Sequence, residues 1–103
     1  MPTFIAIGYG DQAGYDATPQ EIRDHAHKHD DRLRQLGARM GIAGGPVQFR
    51  NTEGSGVHRE DGAYLRSELP VAGFTLIEAD DLDHAITLLA DTPCAVAHGV
   101  VEL

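Results

Sequence analysis

Three histidines and two carboxylates crowd into one stretch, His25-Ala26-His27-Lys28-His29-Asp30-Asp31. Histidine ionises near neutral pH without special tuning, so it is the side chain best suited to moving a proton under physiological conditions. On a helix, His25 and His29 stand four apart and share a face, the spacing of paired metal ligands. Two ligands do not complete such a site. A third would have to come from Asp11 or His58, and the sequence calls for no metal and no cofactor. A proton-transfer site needs less, a single His and a carboxylate that fixes its tautomer and raises its basicity. Asp11 ends the first strand-like segment on the side where the first helix begins. His25 is about 10 Å along that helix and His29 about 16 Å, at 1.5 Å per residue, so Asp11 reaches His25 more easily. The candidate catalytic pair is therefore His25 and Asp11, with His29, Tyr9 and His58 as candidate substrate contacts.

Each of these residues also has a plainer role. His29 can be a core-facing histidine satisfied by one hydrogen bond, His25 a half-exposed side chain at a helix border, and Asp11 a turn residue. His58 and His98 fall where alternation does not decide which way they face. Cys94 has no sequence neighbour that would activate it and reads as structural. Gly41, Gly44 and Gly45 follow a helix where a phosphate-binding loop would lead into one.

The elements that position these residues follow from turn chemistry and spacing. Thr3 to Gly8 reads as a strand, ended by Tyr9-Gly10-Asp11. A small polar loop runs to Ala17. Thr18-Pro19-Gln20-Glu21 then has the form of a capping box with Pro at the first helical position, and Gly37 is the natural stop. Ile22, Ala26, His29, Leu33 and Leu36 repeat at a 4-3-4-3 spacing and predict one narrow buried stripe. His25 borders that stripe, about 60° from its centre, while His27 and Asp31 point to solvent.

Farther along, the glycines and Pro46 between Met40 and Phe49 demand a bent or bulged strand. Asp61-Gly62 signals a hairpin between Val57-His58-Arg59 and Ala63-Tyr64-Leu65. Gly73 to Glu78 is the strongest strand, with Phe74 on its buried face. Asp80 or Asp81 caps a second helix over Leu82 to Ala90, and Val96 to Leu103 closes the chain as a strand. One antiparallel sheet with both helices on one face buries both amphipathic stripes, an α+β domain over residues 1–103. The sheet's other face still needs cover, which a second copy would supply.

Composition narrows the partners. The 103 residues hold 8 basic and 16 acidic side chains, a formal charge of −8 that repels a phosphate backbone. Nucleic acid is thus an unsuitable partner. No apolar run approaches the roughly 20 residues that span a bilayer. The first residues lack the basic region of a signal peptide, and the single Cys94 excludes an internal disulfide. These features lead to the expectation of a cytoplasmic protein without membrane contact.

The chain resembles the YCII-related (DGPF-type) family. The resemblance is carried by Tyr9-Gly10-Asp11, Leu36-Gly37, Ala43-Gly44-Gly45-Pro46, the run from Gly73 to Ile86, and Gly99-Val100-Val101-Glu102. It implies a ferredoxin-like fold, a dimeric α+β barrel packing sheet against sheet, and a small-molecule pocket between sheet and helices. The Asp-Gly-Pro-Phe motif is missing, since residues 64–72 hold a shorter and different stretch, so the YCII branch is the closer comparison. There a His early in the first helix pairs with an Asp, and His25 matches that position, although the preceding Arg-Pro is absent. The implied activity is proton transfer in a lyase or dehydrochlorinase-like reaction. The alternative is a non-catalytic dimer serving as a binding or regulatory module.

Overall fold

The first strand, β1 (Thr3–Tyr9), alternates small and apolar residues so that Phe4, Ala6 and Gly8 turn one way and Ile5, Ile7 and Tyr9 the other. A computed structural model describes residues 1–103 and continues from β1 into a short helix, α1 (Gln12–Ala17), and a long one, α2 (Gln20–Gln35). After these come β2 (Arg39–Ile42), β3 (Val47–Arg50), a single 3-10 turn, β4 (His58–Asp61), β5 (Val71–Glu78), α3 (Leu82–Leu89), α4 (Pro93–Val96) and β6 (Val100–Glu102). Four strands form one sheet in the order β2-β5-β1-β6, with every neighbouring pair antiparallel. β1 and β2 both run against β5, so the connection through α1 and α2 crosses over one intervening strand. The connection from β5 through α3 and α4 to β6 does the same around β1. The chain is thus α+β, as expected from the order of its elements.

Both long helices cover the same face of the sheet. Leu33 of α2 and Leu89 of α3 meet Ala6, Ala38 and Ile77, with Phe4, Met40, Leu88 and Val101 packed around them. Leu33 is the one large side chain completely shielded from solvent. At the end of β1 the register with β5 shifts, because β5 carries an extra residue, Ala72, between Gly73 opposite Gly8 and Val71 opposite Tyr9.

Several local expectations are corrected. Residues 12–17 are helical, because the Asp11 carboxylate caps α1 by accepting from the Gly14 amide at 2.8 Å. Thr18 ends that helix and does not begin the next. Its hydroxyl is turned back to donate to the Gly14 carbonyl of the preceding helix, and α2 starts after Pro19 with no side-chain cap. The bend between Met40 and Phe49 is a complete break into two strands belonging to different sheets. The Asp61-Gly62 hairpin does not form; β4 pairs back with β3 as a separate two-stranded ribbon. The last strand is three residues long because α4 occupies Pro93–Val96.

The buried face of α2 is also rotated. Ala26 and Leu33 are buried and Arg23 and Asp30 half-buried, whereas Ile22 and Leu36 are 44% and 68% exposed. With the half-buried His29 included, at about 100° per residue this moves the face by roughly 45° from the apolar stripe. The cause lies in the neighbours: α4 packs against α2, and Tyr15 of α1 stacks on Arg23 and His27 from the same flank.

The far face of the sheet is bare. Ile5, Phe74 and Val100 are 59%, 43% and 56% exposed, so Phe74 is not a core residue of the single chain. The chain exposes 7449 Å², against about 5,700 Å² for a compact monomer of this mass. Its radius of gyration is 15.7 Å, where about 13 Å would suit a compact domain of this length. No helix is long and apolar enough to cross a membrane.

Leu33→Ala is expected to destabilise the fold by about 2–5 kcal/mol, since it empties the centre of a small core. Thr18→Ala, which removes one hydroxyl hydrogen bond, should cost about 1 kcal/mol. Urea denaturation of the two variants checks the order, and a larger loss for Thr18→Ala would contradict this account of the core.

Candidate functional site

Between the helix-covered face of the sheet and the helices α1, α2 and α4 lies a cleft of about 570 Å³. Small residues make its floor. Gly8 of β1 is buried under Cys94 of α4, and a Cβ at Gly8 would come within 2.7 Å of the Cys94 Sγ. Met40 and Thr75 continue the floor across β2 and β5. The polar wall comes from α1 and α2, with Asp11 and Tyr15 on the first and His27, Asp30 and Arg34 on the second.

The best-defined contact on this wall joins the two helices. The Tyr15 hydroxyl and His27 Nε2 are hydrogen-bonded at 2.8 Å. The two rings are tilted at 59°, with centroids 5.9 Å apart. On the other side of Tyr15, the Arg23 guanidinium carbon lies 4.9 Å from the ring centroid. Tyr15 is therefore held by two side chains that follow each other by one helical turn of α2. A hydroxyl and an imidazole in direct hydrogen bond can pass a proton to or from a molecule at the rim of the cleft.

Deeper in, Asp30 and Cys94 face each other across the interior. One carboxylate oxygen of Asp30, Oδ1, is shielded and has no hydrogen-bond partner. Burial pushes the Asp30 carboxyl above the usual carboxylate range, against the opposing pull of Arg34, His27 and His29. Burial likewise raises the Cys94 thiol, and the nearby Asp30 charge adds to the effect. Cys94 is therefore held toward its neutral form. Arg34 spends part of its charge on Asp31, 3.1 Å away at the surface.

The residues expected to act together do not meet. His25 is exposed on the opposite flank of α2, makes no hydrogen bond and does not line the cleft. Asp11 does line the cleft, but its carboxylate is engaged with the Gly14 amide as the cap of α1. His29 is half-buried and donates from Nε2 to the Leu88 carbonyl at 2.6 Å, tying α2 to α3 in the plainer of the roles open to it. Tyr9 lies on the bare face of the sheet, where its hydroxyl donates to Glu102 at 3.2 Å; that bond to a carboxylate raises the Tyr9 pKa. His58 is exposed on the ribbon. Tyr9, His29 and His58 all lie outside the cleft. His25 and His29 point to different surroundings, and no three His, Cys, Asp or Glu side chains cluster as a metal would need.

Tyr15, His27 and Asp30 are what the cleft gathers instead, with His27 exposed as expected and standing at the rim. A signal for them was present. Arg23, His27, Asp30 and Arg34 repeat at a 4-3-4 spacing, a polar stripe flanking the apolar one. Comparison with known proteins adds no relative, as the chain matches no family model and no curated sequence.

The raised pKa of Asp30 links the cleft to stability with a definite sign. Below about pH 4, the model carboxylate value, folded and unfolded chains both hold the proton. As pH rises past that value the unfolded chain ionises first, so stability attributable to Asp30 falls until the folded-state pKa is passed and then levels off. Asp30→Asn should remove this fall. Urea midpoints of the wild type and the variant across pH 4–8 should diverge in the variant's favour as pH increases, and parallel curves would contradict the burial of a partnerless carboxyl.

Proposed function

We propose that this chain is a YCII-like small-molecule-binding protein whose cleft receives its ligand beside Tyr15 and His27. The observation that carries the reading is the Tyr15–His27 hydrogen bond of 2.8 Å on the rim of a half-open cleft with a small-residue floor. In this reading His27 takes the proton-transfer role that the family resemblance assigns to His25, and Tyr15 replaces Asp11 as its hydrogen-bond partner. The ligand is a small organic molecule presenting an acidic C–H or O–H at the rim. Burial holds the Cys94 thiol toward its neutral form, which suits that part of the interior to the apolar body of such a molecule.

The fold supports the resemblance as far as topology reaches. Counting only the strands of the main sheet, their order is 2-3-1-4 with two crossovers on one face, which is the ferredoxin-like arrangement. The dimeric α+β barrel is part of the same proposal. Two subunits would pack through the bare sheet faces, and the surplus of about 1,800 Å² over a compact monomer exceeds the about 800 Å² per partner of a standard interface. A second reading, binding without turnover, is favoured by the separation of His25 from Asp11, and it uses the same cleft.

Two measurements bear on this. Small carbonyl-bearing and aromatic acids, screened by amide shift perturbation, should move the signals of Tyr15, Asp30 and Cys94. For a compound that binds, His27→Ala and Tyr15→Phe should each weaken affinity about tenfold, the worth of one well-placed hydrogen bond, while His25→Ala leaves it unchanged. Loss of binding in His25→Ala alone would restore the His25–Asp11 site. Proton exchange or elimination on a bound compound separates turnover from simple binding. For the assembly, light scattering at micromolar concentration should give twice the chain mass, and a monomer at every concentration would remove the dimer.

A further inference from the structure

The ribbon of β3 and β4 stands outside the main sheet and pairs with no other strand. Its register places Phe49 opposite Arg59 and Val47 opposite Asp61. Because side chains alternate along a strand, Val47, Phe49, Val57, Arg59 and Asp61 share one face, and the first four line a shallow apolar surface. Arg50, His58, Gln48 and Glu60 occupy the reverse, where Arg50 stacks at 5.5 Å on Tyr64. The reverse face is thus partly covered by the chain's own loop, whereas the apolar face is not: Phe49 is 70% exposed, Val57 66% and Val47 47%. A two-stranded ribbon alone in water is marginal at best and needs a surface to lie on.

We propose that the apolar face of this ribbon docks on the bare sheet face of a second copy of the chain, each subunit clasping the other. This rests on the dimer reading above and adds to it which segments make the contact. The occupant is argued from area, since the surface surplus of about 1,800 Å² is about twice the roughly 800 Å² per partner of a standard interface, enough for a second copy to cover ribbon and sheet together. Charge does not oppose the contact, since Arg59 and Asp61 share the ribbon face 3.9 Å apart and balance each other, while Glu78, Glu102 and Arg39 border the apolar residues of the sheet. A two-fold axis would give both subunits the same pair of contacts, so the assembly closes at two.

The test uses the full-length chain and three surface variants, Phe49→Glu on the apolar face of the ribbon, Glu60→Gln on its reverse and Ile5→Glu on the sheet. Sedimentation equilibrium should show Phe49→Glu and Ile5→Glu each weakening dimerisation at least tenfold, with Glu60→Gln equal to wild type. In a mixed sample of isotope-labelled and unlabelled chains, the Phe49 ring should show intermolecular contacts with the Ile5 or Val100 methyls. If Ile5→Glu gives monomers and Phe49→Glu pairs like wild type, the sheets associate and the ribbon proposal is overturned. A wild type that stays monomeric overturns both the ribbon proposal and the dimer. Phe49 contacts found only within its own chain would equally overturn the docking of ribbon on partner.

Discussion

Seating Leu33 is the constraint on which the rest of this structure depends. It is the one large side chain fully removed from water, and most of the other buried apolar residues of the chain are alanines, Ala6 and Ala38 beside it among them. A single knob in a shallow socket fixes both the height of α2 above the sheet and its rotation about its own axis. The rotation determines which polar residues look inward. With Leu33 and Ala26 against the sheet, Arg23, His27 and Arg34 fall on the flank that meets α1, and Asp30 is drawn partly into the interior, where one oxygen is left without a partner. The desolvated carboxyl and the Tyr15–His27 contact are thus two results of one packing event.

The same economy explains the chain's unusual outer surface. A core built from so few large residues covers one side of the sheet and leaves the other apolar and open. Ile5, Ile7, Phe74 and Leu76 lie there as cross-strand neighbours, in a pattern of side-chain pairing that water does not reward. The ring of Phe74 lies against Gly41 of the adjoining strand, in the space that an added Cβ would need.

Legibility in the sequence divided along physical lines. The strands β1 and β5 and the helix α3 were readable because hydrophobic alternation and a local cap, Asp81 accepting from the His84 amide, determine them within a few residues. The order of elements followed, and with it the α+β class. What could not be read was decided by contacts between distant segments. Thr18 has every local feature of a helix start, yet its hydroxyl is claimed by Gly14 in the helix before it. Asp61-Gly62 is a good turn that goes unused because β4 finds its partner upstream in β3. On α2 the apolar spacing pointed to His25 and His29, and the packing of α1 and α4 turned the buried face toward Arg23 and Asp30, leaving His27 at the exposed rim. Of the candidate site, only Asp11 was placed in the cleft, and there it serves α1.

The contact between Gly8 and Cys94 has one more implication. The floor of the cleft at this point has no side chain, and the sulfur above it is already as close as two atoms can sit once a methyl is added. Enlarging residue 8 would push α4 outward, and with it the end of β6, so the floor is stiff with respect to substitution. The helical wall is not: Tyr15, His27 and Arg34 project from α1 and α2 outside the core, so these side chains can change size or charge without disturbing the sheet. A lineage of such chains could therefore diversify what it binds along one wall while the depth of the cleft stayed the same, a separation of frame from tuning that is written into where the smallest residue sits.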